Sequence, residues 1–324
     1  MTDPGASLGG AWSASVIIPA RDAEAFIGRV VRAVFAQRGA GSGIDVIVVD
    51  DGSRDATAER ARAAGARVLS RPGGARGNPA AARNQGARAA SGDPLIFLDA
   101  DCVPADGWLE ALLAAHGRGA VVVGGSLALP PGLSLTARCD YYCGWYLVHP
   151  RRPAGPVPHH PPPNLSVRRA AFLATAGFTE RSPLEYTNEE RAWQGEVRRA
   201  GHTIYFEPAA VAEHYNRPGF RNLLRRNYRW AYTAIEAKSQ SGSARAAWLY
   251  RYPALLIAGS LPLALAHTAY IEGCWVRAGT LEPLLMLPAV LASRLAYALG
   301  MAVGGARWLR RRGGARAVPA TLER

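Results

Sequence analysis

Short apolar runs alternate with helical patterns along the first third of the chain. Four of these runs are three to six residues long and mostly apolar, which is typical of buried strands. Apolar or alanine-rich segments at helical spacing lie between them, at 26–35, 56–64 and 80–90. Strands that alternate with helices predict an α/β fold, with a mostly parallel sheet covered on both faces. The four runs are residues 15–19, 45–50, 67–69 and 94–98.

The pattern becomes less regular after residue 126. A proline-rich stretch at 150–163 cannot form a helix and predicts a loop. A helical pattern then covers 188–200 and ends at Gly201, and a strand is predicted at 203–206. These changes divide the chain into a tail (1–13), a first half (14–125), a second half (126–240) and a C-terminal region (241–324).

Two longer apolar stretches occur in the C-terminal region, at 253–270 and 283–303. A helix that crosses a bilayer needs roughly 20 such residues. His267 interrupts the first stretch and Arg294 the second, so a buried helix pair packed on the soluble part is the alternative to two membrane helices. If the second stretch spans a membrane, Arg294 has to face a protein partner or a cavity, or to extend toward the interface.

Flanking charge predicts the orientation of this pair. Arginines precede the first stretch and follow the second, whereas the loop between the stretches contains only Arg277. The positive-inside rule therefore places both ends in the cytoplasm. Residues 1–10 have neither a basic nor an apolar signal segment, so we expect the N-terminal part to stay in the cytoplasm. The flanking residues are Arg245, Arg251, Arg307, Arg310, Arg311 and Arg312.

The chain of 324 residues is basic, with 38 Lys plus Arg against 25 Asp plus Glu and a formal net charge of +13. Such an excess suggests phosphorylated substrates, an anionic membrane surface or another polyanion. Nucleic acid is not expected as a partner, because the basic residues are scattered among acids and lack an aromatic platform. The four cysteines match no zinc-binding spacing and predict free thiols.

Acidic pairs follow two of the predicted strands. Asp50 and Asp51 end the run at 45–50, and Asp99 and Asp101 end the run at 94–98. Residues i and i+2 of an extended strand point to the same side, so Asp99 and Asp101 can address a single cation. Mg²⁺ and Mn²⁺ take oxygen ligands and share them with substrate phosphates. The alternative is an acid pair in a surface turn.

A basic motif lies between these two acidic pairs. The segment A-R-N-Q-G places Arg83 at the start of a helical stretch, where its guanidinium can lie near phosphates. Ligands of α/β sheets bind beyond the carboxyl ends of the strands, which is where both acidic pairs lie. Each motif alone is also compatible with a solvated loop or a helix cap.

Six motifs, in this order, resemble the inverting family 2 glycosyltransferases of the GT-A fold. The resemblance covers about 14–217, and its last matching residue is His214. It implies a mixed, mostly parallel sheet flanked by helices, to which the C-terminal apolar helices are added. The motifs are S-V-I-I-P-A-R-D, V-I-V-V-D-D-G-S-R-D, A-A-R-N-Q-G-A-R-A-A-S-G-D, I-F-L-D-A-D-C, N-L-S-V-R-R-A-A-F and N-E-E-R-A-W-Q-G-E-V-R-R-A-G-H.

The resemblance implies roles for several residues of the donor site. Asp51, alone or with Asp50, would contact the nucleotide base, and Pro19 and Arg21 would line the same pocket. Arg83 would lie near the base or the phosphates. Asp99 would approach ribose or metal, Asp101 would bind the metal, and His214 would help to hold the metal or the diphosphate.

The resemblance also places the catalytic base in the pair Glu189–Glu190. Glu190 stands where the family usually has Asp, so its carboxylate lies one methylene farther from the backbone and must be held differently. A carboxylate there would deprotonate the acceptor hydroxyl as it attacks the anomeric carbon. Without the resemblance, both acids are explained by the helix dipole, which favours acids in the first turn. His159 and His160 are expected in a loop in or near the acceptor cleft.

The segment 226–230, R-N-Y-R-W, resembles the Q-x-x-R-W motif of processive relatives such as cellulose synthases, with Arg226 in place of glutamine. A basic amphipathic helix that lies on a membrane is the alternative interpretation.

These expectations combine into a metal-dependent, inverting glycosyltransferase. It would move a sugar from a nucleotide-diphosphate sugar to a lipid-linked or cell-envelope acceptor, using Mn²⁺ or Mg²⁺. A nucleotidyltransferase is one alternative, but residues 15–22 do not form the glycine-rich basic loop that it needs. A non-catalytic membrane protein that binds nucleotides on a degenerate GT-A fold is the other. The sequence identifies neither the sugar nor the oligomeric state.

Overall fold

The computed structural model describes residues 14–37, 43–71, 77–180, 188–241 and 252–316. The predicted tail 1–13, Arg245 and Arg251 lie outside the described residues. Within them, nine strands form one sheet. The strands are β1 (Ala14–Ala20), β2 (Ile44–Asp50), β3 (Arg67–Ser70), β4 (Leu95–Leu98), β5 (Cys102–Pro104), β6 (Val122–Ala128), β7 (Gly155–Val157), β8 (Asn164–Val167) and β9 (Ile204–His214).

Helices flank this sheet, as the sequence predicts. The helix predicted at 80–90 begins where Asn78 accepts a hydrogen bond from the Ala81 amide and Pro79 takes the first helical position. The helices are α1 (Ile27–Phe35), α2 (Thr57–Ala63), α3 (Pro79–Ala89), α4 (Trp108–Gly117), α5 (Leu135–Gly144), α6 (Arg169–Leu173), α7 (Glu189–Arg199), α8 (Phe220–Tyr232), α9 (Ala234–Ser241), α10 (Pro253–Ala258), α11 (Ser260–Arg277), α12 (Glu282–Leu285) and α13 (Leu287–Arg316).

The sheet has the strand order β3-β2-β1-β4-β8-β6-β9-β5, and β7 also pairs with β9. Strands β3, β2, β1 and β4 are mutually parallel, β8 runs antiparallel to β4 and β6, and β6 and β9 are parallel. This arrangement confirms the predicted mixed α/β sheet. The boundary expected at residues 125 and 126 falls inside β6, so both halves of the chain contribute to one sheet.

The parallel half of the sheet positions the first acidic pair and Arg21. Ala20 of β1 pairs in register with Asp50 of β2, so both strands end at the same level. Arg21, Asp51 and Asp99 follow directly after β1, β2 and β4. Because these strands run in the same direction, the three residues lie along one edge of the sheet.

The C-terminal region differs in part from the expected pair of membrane helices. The first apolar stretch divides at Gly259 into α10 and α11. Within the described residues, Leu287–Arg310 of α13 is the one helical segment long and apolar enough to cross a membrane. Two membrane-spanning helices were predicted, and the described residues contain one candidate.

Helix α13 packs closely against α8, and two glycines make this possible. A Cβ at Gly300 would lie 2.1 Å from the Tyr228 carbonyl oxygen, and one at Gly304 would lie 1.8 Å from that of Tyr232. Arg294 of α13 is buried at this contact, where it donates to Asn227 Oδ1 and lies 5.2 Å from the Tyr297 ring centre. The guanidinium thus has its partner on α8 of the same chain.

Candidate active site

The turn after β2 gives its two aspartates different surroundings. Asp50 Oδ1 accepts hydrogen bonds from the amide and the hydroxyl of Ser53, which hold the turn around Gly52. Asp51 is buried, and its carboxylate accepts from Arg71 at 2.8 Å and from the Asn78 amide. The carboxylate of Asp50 is therefore used within the turn, which favours Asp51 as the residue that contacts a nucleotide.

Arg21 lies beside Asp51 across a glycine. A Cβ at Gly77 would lie 2.8 Å from Asp51 Oδ2 and 2.9 Å from Arg21 Cδ, so only glycine fits between them. Arg21 Nη1 is buried and has no hydrogen-bond partner among the described residues. Pro19 is half-buried in β1, paired with Val49. The sequence analysis missed Arg71 and Gly77, although G-N-P before α3 marks a tight approach to that helix.

Arg83 connects α7 to the edge of the sheet where Asp51 and Asp99 lie. Its side chain is buried, with Nη2 at 2.6 Å from Asp99 Oδ1 and Nη1 at 2.8 Å from Glu189 Oε1. These residues are 16 and 106 positions away in the sequence. The adjacent carboxylates raise the pKa of Arg83 despite its burial. The guanidinium therefore stays charged and holds the end of β4 against the start of α7.

The turn after β4 corrects one prediction. Asp99 and Asp101 were expected on an extended strand, with their side chains on one side. Instead, β4 ends at Leu98, the Cys102 amide donates to the Asp99 carbonyl at 3.0 Å, and β5 begins at Cys102. The chain therefore forms a tight turn here instead of an extended strand in which alternate side chains point to one side. The two carboxylates have different partners.

Asp101 meets His214, which ends β9. Cys102 of β5 pairs with His214 in the sheet, and Asp101 Oδ1 lies 3.8 Å from His214 Nε2. Ligand atoms of Asp101, Cys102 and His214 all lie within 4.8 Å of one another. Burial and the adjacent aspartates raise the pKa of the Cys102 thiol well above its ordinary value. Mn²⁺ and Mg²⁺ prefer oxygen or imidazole ligands to thiolate, which favours Asp101 and His214 within this group.

A hydrogen-bonded chain fixes the ring of His214. Asn216 Nδ2 donates to Asp140 Oδ2 at 2.9 Å, so its Oδ1 faces His214 Nδ1, 2.8 Å away. An amide oxygen only accepts, so Nδ1 of the ring carries a proton and Nε2 is the ring nitrogen that faces Asp101. This outer contact prepares the ring for metal coordination. Asp140 and Asn216 were not found from the sequence, where N-R-P after His214 shows no recognisable pattern.

Helix α8 supports the same group of residues. Arg226 forms an ion pair with Asp140 and lies 4.6 Å from the Trp230 ring centre. Trp230 contacts Trp145, which in turn contacts His214, with ring centres 5.7 and 4.8 Å apart. The basic segment 226–230 therefore faces the protein through Arg226 and Trp230, next to the residues that hold His214.

The two acids at the start of α7 have separate partners. Glu189 pairs with Arg83, whereas Glu190 Oε1 is hydrogen-bonded to His159 Nε2. Both glutamates are buried, and burial is the largest cause of the raised pKa of each. Glu189 is occupied with Arg83, which leaves Glu190 as the candidate base of the pair.

Comparisons with known proteins identify the family and the fold. The family model of Glycosyl transferase family 2 matches residues 15–172. The chain is 28 % identical to the Pre-mycofactocin glycosyltransferase of Mycobacterium tuberculosis, over 93 % of this chain and 72 % of that protein. It is 30 % identical to Glycosyltransferase AglE of Haloferax volcanii, over 66 % of this chain and 70 % of that protein.

A solved structure shares the fold. The mannosyltransferase PcManGT from Pyrobaculum calidifontis, in complex with GDP-Man and Mn²⁺, superposes with a TM-score of 0.57 and 18 % identity. The match covers 91 % of this chain and 86 % of that one. The architecture is that of the GT-A fold. The chain belongs to glycosyltransferase family 2, and the nucleotidyltransferase alternative does not match this family.

Proposed function

We propose that the protein transfers a sugar from a nucleotide-diphosphate sugar to an acceptor hydroxyl with inversion, and that Glu190 is the general base. The observation that carries this proposal is the Arg83 bridge. It connects Asp99, two residues before the candidate metal ligand Asp101, to Glu189, the neighbour of Glu190. The buried guanidinium of Arg83 thus holds the sheet edge that carries Asp99 close to the start of α7, where Glu190 lies.

The nucleotide would lie at the edge formed by Asp51 and Arg21. The buried Nη1 of Arg21, unpaired among the described residues, is available to an oxygen of the base or ribose. Asp51, held by Arg71 and Asn78, presents a fixed carboxylate. PcManGT is a relative in fold that binds a nucleotide sugar together with Mn²⁺, which supports the proposed donor class.

Asp101 and His214 fit a divalent ion. One carboxylate and one imidazole with a free Nε2 suit Mn²⁺, and Mg²⁺ is accommodated when phosphate oxygens complete the ligand set. The Asp140–Asn216–His214 chain supplies the outer support that such ligands usually have. When bound, the ion stabilises the negative charge that develops on the leaving diphosphate.

The protein's own groups carry the remaining steps. The edge beside Arg21 and Asp51 orients the nucleotide, and Arg83 fixes the start of α7. Glu190 accepts the proton of the acceptor hydroxyl as its oxygen attacks the anomeric carbon. The attack comes from the side opposite the diphosphate, which inverts the anomeric centre.

Two variants test these assignments. Glu190→Gln should retain Mn²⁺-dependent donor binding and lose turnover by at least about a hundredfold. Asp101→Ala should lose the Mn²⁺-dependent thermal stabilisation by nucleotide diphosphates. The measurements are a thermal-shift screen of UDP-, GDP- and dTDP-sugars with and without Mn²⁺, followed by nucleotide release with the best donor. Normal turnover by Glu190→Gln would remove Glu190 as the base.

We also propose that the C-terminal helices contact a membrane, where a lipid-linked or cell-envelope acceptor is presented. Large apolar side chains are exposed on α11, on α13 and on the segment between them. Such a concentration of apolar surface fits a lipid environment better than water. The side chains are Leu261, Leu263, Leu265, Val276, Leu281, Leu284, Leu285, Leu287, Leu295, Leu299 and Val303.

A further inference from the structure

The candidate base has a partner from a distant part of the chain. His159 lies in the segment between β7 and β8, within the proline-rich stretch, and its Nε2 is hydrogen-bonded to Glu190 Oε1. The side chain of Glu190 is 6 % exposed and that of His159 is 20 % exposed. The imidazole is therefore the more exposed member of a largely buried pair.

The backbone that carries His159 is attached to α7. The amide of His160 donates to Gln194 Oε1 at 3.2 Å, and Gln194 Nε2 donates to the His160 carbonyl. Gln194 lies one helical turn after Glu190, so α7 holds both the base and the segment that contacts it. A Cβ at Gly124 would lie 2.1 Å from the His160 ring, so glycine is required to seat that ring against β6.

The charges around His159 favour its neutral form. Arg191 and Arg198 of α7 and Lys238 of α9 face the imidazole, and together with burial they hold the pKa of His159 well below its usual range. A neutral imidazole with Nε2 toward a carboxylate donates Nε2–H.

Glu190 has its own charged surroundings. Arg191, Arg83 and His160 face the carboxylate, and Glu189 is its neighbour on α7. Burial raises the pKa of Glu190, and the two arginines oppose this rise. A donated hydrogen bond to a carboxylate also lowers its pKa. The contact with His159 thus favours the ionised form that a general base needs.

We propose that His159 is a positioning residue for Glu190: its neutral imidazole donates Nε2–H to Oε1 and aims Oε2 at the acceptor hydroxyl. This inference rests on the proposed function. It also explains the departure at position 190, because a glutamate extends one methylene farther than the aspartate usual in the family and needs a lateral contact to hold it.

The proton balance of the step is simple. The acceptor O–H bond breaks and its proton passes to Glu190 Oε2, while the acceptor oxygen forms the bond to the anomeric carbon. The bond from that carbon to the diphosphate oxygen breaks, and its electron pair leaves with the diphosphate. His159 keeps its Nε2 proton throughout and orients the carboxylate.

A pair of variants separates donation from packing. His159→Leu has a similar volume and no donor, whereas His159→Gln keeps an N–H donor at the same depth. With the UDP- or GDP-sugar that wild type turns over fastest, we expect His159→Leu to lower kcat about 10- to 100-fold with the donor KM unchanged. The acidic limb of the kcat–pH profile of this variant should move to higher pH, because the ionised form of Glu190 loses a hydrogen bond and the pKa of Glu190 rises. His159→Gln should restore most of kcat, and His202→Ala serves as the control that leaves kcat unchanged.

Several outcomes would overturn the inference. Equal loss in the Gln and Leu variants, or a lower kcat with an unmoved pH limb, would reduce His159 to a packing residue or make it the base itself. Wild-type activity of His159→Leu with an inactive Glu190→Gln would reject the inference and leave the proposed function intact. An active Glu190→Gln would reject the base assignment itself.

The wild-type protein offers a second test if either variant fails to fold. Imidazole ¹⁵N NMR shifts should show His159 as the neutral Nε2–H tautomer from pH 8 to pH 5. Glu190→Gln should change these shifts. An imidazole that titrates near pH 6.5, or that does not respond to Glu190→Gln, contradicts the inference.

Discussion

At the scale of single residues, Asn216 is a small side chain with a large expected effect. It touches no proposed substrate, yet its amide joins Asp140 to His214 and decides which ring nitrogen of the histidine carries the proton. Outer contacts of this kind usually change metal affinity by about 10- to 100-fold.

Asn216→Ala should therefore weaken Mn²⁺ binding about 10- to 100-fold, because His214 loses the contact that fixes its ring with Nε2 toward Asp101. Electron paramagnetic resonance of free Mn²⁺ measures this directly, without substrate. Asn222→Ala is the matched control, since Asn222 is exposed on α8 and bonds only to the Pro218 carbonyl among the contacts of the described residues. Equal Mn²⁺ affinity in both variants would contradict the role of Asn216.

His116 should make stability depend on pH. It is buried, with its ring nitrogens 2.7 Å from the Ala120 carbonyl and from Ser166 Oγ, and burial lowers its pKa from 6.5 to about 4. The unfolded chain takes up a proton below pH 6.5 that the folded chain takes up only near pH 4. The contribution of His116 to the free energy of unfolding is therefore fully present above pH 6.5. It decreases as the pH drops toward 4, by up to about 3 kcal/mol.

Urea unfolding between pH 7 and pH 4 checks the expectation for His116. His116→Gln should be less stable than wild type at pH 7 and should lose less stability over the same range. His149 and His160 also have pKa values lowered to about 4, so the variant should retain part of the slope. A slope identical to that of wild type would exclude His116 as a contributor.

At the scale of elements, the contact between α8 and α13 depends on the absence of side chains. Gly304→Ala adds a methyl group that would lie 1.8 Å from a backbone oxygen, which cannot rotate away. Alanine favours an isolated helix over glycine by about 1 kcal/mol, but separating packed helices costs about 1–3 kcal/mol. We expect a net loss of stability.

Chemical denaturation of Gly304→Ala tests this expectation. Gly273→Ala is the matched control in α11, because its new methyl group would lie 3.5 Å from the end of the Arg277 side chain, an ordinary contact. The control should be neutral or slightly stabilised. A stabilised Gly304→Ala would show that α8 and α13 do not pack as described.

The elements also show what the sequence predicts and what it does not. The strands before Asp51 and Asp99, and the helix that begins at Glu189, follow from local hydrophobic patterns and were predicted correctly. The turn that separates Asp99 from Asp101 was not, because the apolar run shows where the strand ends but not that the chain then turns into β5.

Local sequence patterns do not predict contacts between distant segments of the chain. His159 is 31 residues from Glu190, and Asp140 is 76 residues from Asn216. Only the fold brings them together, so the sequence gives no spacing by which to find them. The resemblance to the family identified Glu190 but contained no information about the partner that holds it.

At the scale of the whole molecule, the exposed apolar side of α13 predicts membrane binding. Replacing Leu295, Leu299 and Val303 with glutamine should release the protein from membranes, because these side chains are 43 %, 59 % and 42 % exposed and contribute little to the interior. Flotation with vesicles measures the release, and the melting temperature should stay close to that of wild type. Truncation is a poorer test, since it would also uncover α8.

The control for this variant is Leu173→Gln, which changes a leucine of α6 that is 40 % exposed and far from the C-terminal helices in the sequence. It should float with the vesicles as wild type does. If the triple variant also floats, the apolar side of α13 does not mediate membrane binding.

The glycine-lined contact between α13 and α8 has a consequence for acceptor choice. Arg226 of α8 also forms an ion pair with Asp140, so α13 is linked through α8 to the residues that hold His214. If α13 lies in lipid, as proposed, this link would limit how far above the bilayer the attacking hydroxyl can lie. The enzyme would then select acceptors by the length of their headgroup as well as by its chemistry.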